Sequence, residues 1–121
     1  NGPHNESNHN LSRFNPSGPL TGIKRSLTDG GIRVPMIAWW PGQITPGTET
    51  DHVGYFGDWM ATAAELSGAK LPGDRDSISF VPTLFGRHDA QQQHQFLYWE
   101  FHEGGFKQAA LYQGRWKGIR S

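Results

Sequence analysis

Glycine and proline interrupt this chain so often that no long regular element fits between them. Sixteen glycines and eight prolines are spread through 121 residues, and pairs such as Asn15-Pro16, Pro41-Gly42, Pro46-Gly47 and Pro72-Gly73 mark turns. Short elements joined by tight turns are therefore expected. The hydrophobic share is only 35%, so a core must draw on the five Trp and seven Phe, whose rings bury large areas. The length suits one domain with a modest core, and so little aliphatic content suggests a piece that leans on a neighbour. A formal net charge of zero offers no electrostatic capture of nucleic acid or of an acidic membrane, so neither is expected as a partner. No apolar run reaches membrane-spanning length. The absence of cysteine excludes disulfides and thiolate metal sites.

The stretch from Gly18 to Pro35 carries the most specific signal. Lys24 is a cation in a run broken by Gly18, Gly22, Gly30 and Gly31. Glycines allow close backbone approach and positive φ, and a lysine fixed among them can serve as a point charge for an oxyanion. The alternative is a tight turn with a solvated lysine. Upstream, His4 and His9 stand among Asn5, Glu6, Asn8 and Asn10, but this spacing fits no zinc signature and also reads as a solvated loop.

Residues 31–40 read as a strand that is apolar on both faces, which argues for a covered position in a sheet. Residues 55–67 read as an amphipathic helix, with Phe56, Trp59, Met60, Ala63 and Leu66 forming the core-facing stripe and Gly68 ending it. Asp58 falls in its first turn, where the helix dipole favours a carboxylate. Gln91, Gln92 and Gln93 read as exposed. Three antiparallel strands are expected over 95–102, 107–112 and 115–120, separated by Gly104-Gly105 and Gln113-Gly114. They would share an aromatic face made of Phe96, Tyr98, Phe106, Tyr112 and Trp116.

Taken in order, the Asn1-Gly2 turn, Gly22-Ile-Lys-Arg25, Gly30-Gly-Ile-Arg-Val-Pro35, the Trp40-Pro-Gly42 turn, the amphipathic helix and Trp116-Lys-Gly-Ile-Arg120 resemble the type I sulfatases, arylsulfatase-like enzymes of the alkaline phosphatase superfamily. The resemblance implies an α/β fold: residues 1–93 as the C-terminal part of the catalytic domain, and 94–121 as the start of a small C-terminal antiparallel sheet. It also implies that the chain is part of a longer protein, packed on an N-terminal half that carries the nucleophile.

The family's chemistry implies a role for each candidate residue. Lys24 would hold sulfate oxygens as the catalytic cation. Asn1 would be one ligand of a calcium ion, the expected cofactor. His4, Arg25, His102 and Glu103 would contact the substrate, a sulfated small molecule or carbohydrate. The family's nucleophile is a formylglycine made from the Cys or Ser of a Cys/Ser-x-Pro-x-Arg motif. These 121 residues hold no such motif, so the chain alone is expected to be inactive. Arg33 reads as a structural ion-pair partner. The family implies a periplasmic or secreted protein. Two other readings stay open: a phosphoryl-transfer member of the superfamily, and a carbohydrate-binding module whose aromatics form an exposed stacking platform. Exposure of Trp99 and Trp116 bears on the second.

Overall fold

The computed structural model describes residues 2–6 and 8–121. It divides into two compact units, one made of residues 1–36 and 96–121 and the other of residues 37–95.

In the first unit, the C-terminal segment forms a three-stranded antiparallel sheet, β1 (Phe96–Phe101), β2 (Lys107–Tyr112) and β3 (Trp116–Arg120), in sequential order. Its turns follow their local chemistry. Gly104 and Gly105 take φ of 71° and 116°, and Gln113 and Gly114 take 49° and 65°, the positive values that a tight hairpin turn requires. The register pairs Phe96 with Tyr112, and Tyr112 with Trp116. One face therefore packs inward through Leu97 and Ala109, both buried. The other carries Phe96, Tyr98, Tyr112 and Trp116 outward, all exposed. The expected aromatic face thus forms from four of its five members, because Phe106 lies in the turn before β2. It points to solvent.

The N-terminal part of this unit is a folded loop with two single helical turns, α1 (Leu11–Phe14) and α2 (Asp29–Ile32). Asn10 caps α1 by accepting the Arg13 N–H at 2.8 Å. Gly30 and Gly31 are buried. The Gly30 N–H donates to Thr21 O at 2.8 Å, and the Gly2 N–H donates to Gly31 O at 2.7 Å. A Cβ at either α2 glycine would collide with backbone oxygens of residues 21–26, so these glycines serve close backbone approach. Lys117 ties β3 to α2 through Asp29 at 2.6 Å.

The expected strand over 31–40 does not form. Gly31 and Ile32 complete α2, and residues 33–40 run on without ladder partners. Met36, Ile37, Trp39 and Trp40 are exposed. Pro35 removes one donor, and a strand apolar on both faces needs a neighbour that the described residues do not supply. Arg33 likewise makes no ion pair among the described residues.

The second unit is built around α3 (Asp58–Ser67). Gly68 ends it at φ 72°, with its successor bonded back to Ala64, as the sequence suggests. The buried face is not the expected one. Phe56, Trp59, Met60 and Leu66 are exposed, as is Ala63, while Asp58, Ala61, Thr62 and Ala64 are buried. Asp58 and Thr62 tolerate this because their polar atoms are satisfied. Thr62 Oγ1 donates to Asp58 O at 2.8 Å and accepts the Phe80 N–H at 3.1 Å. The Asp58 carboxylate accepts the N–H groups of Tyr55 at 3.0 Å and Ile78 at 2.9 Å, and His94 Nε2 at 2.9 and 3.0 Å. A second short helix, α4 (Val81–Leu84), follows. Gln91, expected to be exposed, instead accepts from both Thr83 N and Thr83 Oγ1 and donates to Ser79 O.

His52 lies beside this cluster with Nδ1 buried and unpartnered among the described residues. Burial lowers its pKa below 6.5, outweighing the opposing pull of Asp58. A base with a depressed folded-state pKa binds fewer protons folded than unfolded. Stability should therefore hold above the unfolded value near 6.5 and fall as pH drops below it. We expect the His52 imidazole to titrate below the ordinary histidine value of 6.5 by NMR and stability to decline as pH falls through that window; a His52 midpoint at or above 6.5 contradicts the assignment.

Candidate functional site

Lys24 and Arg25 occupy the corners of a turn closed by Ser26 N–H donating to Ile23 O at 2.9 Å. Arg25 has φ 75°, at a turn position that glycine fills with less strain. A non-glycine residue there costs on the order of 1 kcal/mol. The loop around the turn is braced internally. Thr28 Oγ1 donates to Thr21 O at 2.6 Å, and Ser26 Oγ lies 2.6 Å from Thr28 Oγ1. The turn is tied to the N-terminal segment by the Lys24 N–H, which donates to Pro3 O at 2.7 Å.

Four charged side chains converge on this corner. Lys24 Nζ lies 3.0 Å from Glu6 Oε2. The other Glu6 oxygen, Oε1, meets the Arg25 guanidinium. Arg25 Nε donates to Glu103 Oε1 at 2.8 Å. The result is a chain of alternating charge, Lys24–Glu6–Arg25–Glu103, that links two loops to the β1–β2 turn. All four side chains are partly open to water. His4 lies one bond away: its Nδ1 accepts the Glu6 N–H at 3.2 Å, and its ring stands edge-on to His9 at 4.9 Å.

The structure thus brings Lys24, Arg25, His4 and Glu103 together and adds Glu6, which sequence reading left within an unspecific polar tract. Its proximity to two cations 18 and 19 positions away leaves no local pattern. His102 is not part of this group. Its ring tilts against Phe106 at 4.9 Å, and Nε2 lies 3.4 Å from Glu100 Oε2. Glu100 also accepts the Tyr98 hydroxyl at 2.7 Å. That hydrogen bond holds the Glu100 carboxyl below its usual range and pushes the Tyr98 phenol up. Asn1 lies outside the described residues.

Among the described residues no group of three or more His, Asp or Glu could hold a metal ion, and Glu6 and Glu103 are already paired with cations. A calcium ion takes six to eight oxygen ligands, and among the described residues no cluster of three or more His, Asp or Glu side chains stands ready to anchor one. Among them, no helix is long and apolar enough to cross a membrane. Trp116 is 64% exposed, as a sugar-stacking platform requires, whereas Trp99 is half-buried under Lys117, whose Nζ lies 5.6 Å from its ring centroid.

Comparison with known proteins weighs on the same question. Residues 23–120 match the family model described as N-sulphoglucosamine sulphohydrolase, C-terminal. The steryl-sulfatase of Rattus norvegicus is 40% identical over 84 residues, covering 68% of this chain and 14% of the rat protein. The N-acetylgalactosamine-6-sulfatase of the same species is 38% identical over 74 residues, 60% of this chain and 14% of that protein. The ulvan-active sulfatase of Formosa agariphila is 38% identical over 64 residues, 53% of this chain and 13% of that protein. The matched region is thus about one-seventh of the length of these relatives.

Proposed function

The chain belongs to the N-sulphoglucosamine sulphohydrolase C-terminal family, a sulfatase family, and from that premise we propose that it supplies the oxyanion-binding wall of a sulfate ester hydrolase. The observation that carries this reading is the Lys24–Arg25 corner, with two cations presented on a braced turn beside His4 and Glu103. Lys24 holds the sulfate oxygens, where a preplaced ammonium stabilises charge as the sulfuryl group transfers. Arg25 completes the positive face. His4 borders the pocket. Glu103 and His102, at the turn between β1 and β2, read the alcohol portion, as residues on loops over a rigid scaffold commonly do. The substrate class is a sulfated small molecule or carbohydrate.

In this reading the whole protein is an alkaline-phosphatase-like α/β enzyme, periplasmic or secreted. Its formylglycine nucleophile comes from residues other than these 121, which alone are inactive. Calcium, with Asn1 as one ligand, remains part of the proposal for the whole protein. The roles given above to Lys24, Arg25, His4, His102 and Glu103 do not depend on it.

The test uses the intact protein on a matched pair, an aryl sulfate and the corresponding aryl phosphate. Faster release of inorganic sulfate than of phosphate is expected. Preference for the phosphate would favour the phosphoryl-transfer reading, and turnover of neither would overturn the enzyme reading.

A further inference from the structure

We propose that Glu6 is an internal counter-anion, seated between Lys24 and Arg25 where a sulfate group would sit, and that it must swing out before substrate enters. The inference rests on the reading of Lys24 as an oxyanion ligand and adds a gate to that site.

The geometry is that of an anion site already filled. Glu6 places one oxygen 3.0 Å from Lys24 Nζ and the other on the Arg25 guanidinium. Two oxygens of a sulfate ester can bridge the same two cations. Both anions cannot do so together, because like charges in contact repel.

Charge balance points the same way. Lys24 and Arg25 against Glu6 and Glu103 make a neutral closed network, with no net attraction left for an incoming anion. When Glu6 withdraws, two positive charges face one negative charge, and the single residual positive charge matches the single negative charge of a sulfate monoester. Departure of Glu6 is also cheap. It sits outside any helix or strand, and its side chain is 38% exposed, so water can hydrate the displaced carboxylate. Arg25 does not collapse with it, because Glu103 holds the guanidinium from the other side at 2.8 Å.

A role for Glu6 in positioning Lys24 predicts the opposite sign, which makes the two readings separable. The intact protein is titrated with inorganic sulfate at constant ionic strength, balanced with chloride, and followed by the amide signals of Lys24 and Arg25. Glu6→Gln, close to isosteric, is expected to bind sulfate about three- to tenfold more tightly than the parent, the scale of releasing two partly exposed ion pairs. Glu6→Ala should show the same direction, with the amide signals of Leu97 and Ala109 reporting that the sheet is intact. Adding Lys24→Ala to Glu6→Gln should abolish the gain. Equal or weaker binding by both Glu6 variants, while Lys24→Ala still weakens the parent, would overturn the gate and leave the oxyanion role of Lys24 standing. Binding that is indifferent to Lys24 in every background would overturn both.

Discussion

Replacing Lys24 with alanine in the intact protein should lower kcat/KM on a sulfate ester by at least about a hundredfold while leaving Tm nearly unchanged. Removing one preplaced donor to developing charge typically costs about 10²- to 10³-fold, roughly 3–4 kcal/mol. A solvated lysine contributes within about 0.5 kcal/mol to stability. Lys24 is partly exposed and, among the described residues, pairs with the exposed Glu6 alone, so its removal leaves no buried group of theirs unpaired. The backbone tie to Pro3 runs through the Lys24 N–H and survives the substitution. Lys24→Arg should restore only part of the rate, because a planar fork does not fill a point-charge site in the same way. Turnover by Lys24→Ala near the parent rate would make the lysine a turn residue and remove the main support for the proposed site.

The two cations, Lys24 and Arg25, are linked through the turn. Arg25 holds a positive φ that costs on the order of 1 kcal/mol, and its guanidinium is gripped by two carboxylates. This arrangement sets the side chains of Lys24 and Arg25 on one side of the loop, where a single anion reaches both. A glycine at that corner would relax the backbone and lose the second cation.

What could be read from the sequence follows the range of the interactions. The three strands are legible because their signals are local: alternation along each strand and positive-φ residues at each turn. Even there, the direction of the aromatic face is not encoded locally, since Leu97 and Tyr98 are both acceptable core residues. The Lys24 turn is legible because Gly22, Gly30 and Gly31 announce close backbone approach. Glu6 is not, because its partners are reached by the folding of two loops. Likewise, α3 is legible as a helix through its spacing and Gly68, yet hydropathy assigns it the wrong face. Asp58 reads as a dipole partner in the first turn and Thr62 carries no signal of its own, because their hydrogen bonds to Ile78, Phe80 and His94 span 18 to 36 positions. Residues 33–40 fail for a related reason: a strand exists only where a neighbour pairs with it, and none of the described residues does.

Asp58→Ala should be the most damaging single change in residues 37–95, costing about 3–5 kcal/mol of stability. Asp58 is fully buried and joins three parts of the unit through its carboxylate: the Tyr55 N–H before the helix, the Ile78 N–H of the following segment, and His94. Alanine would leave those donors facing a protein interior without acceptors, and each buried unpaired donor costs roughly 1–3 kcal/mol. Relaxation and water entry reduce the sum, which places the expected loss within the range measured for broken buried pairs. Against a typical total stability of about 5–15 kcal/mol, that loss is large. Asp58→Asn retains the shape and one acceptor oxygen but turns an NH₂ group toward a donor, so an intermediate loss is expected. By contrast Glu6→Gln, on the exposed face of the Lys24 turn, should shift stability by no more than about 0.5 kcal/mol. Urea unfolding followed by tryptophan fluorescence reports on this region, because Trp59 packs edge-on to Phe80 at 5.3 Å. A loss below about 1 kcal/mol for Asp58→Ala would mean that the helix is held by its apolar contacts through Ala61, Ala64, Phe80 and Val81, and that the buried carboxylate is dispensable.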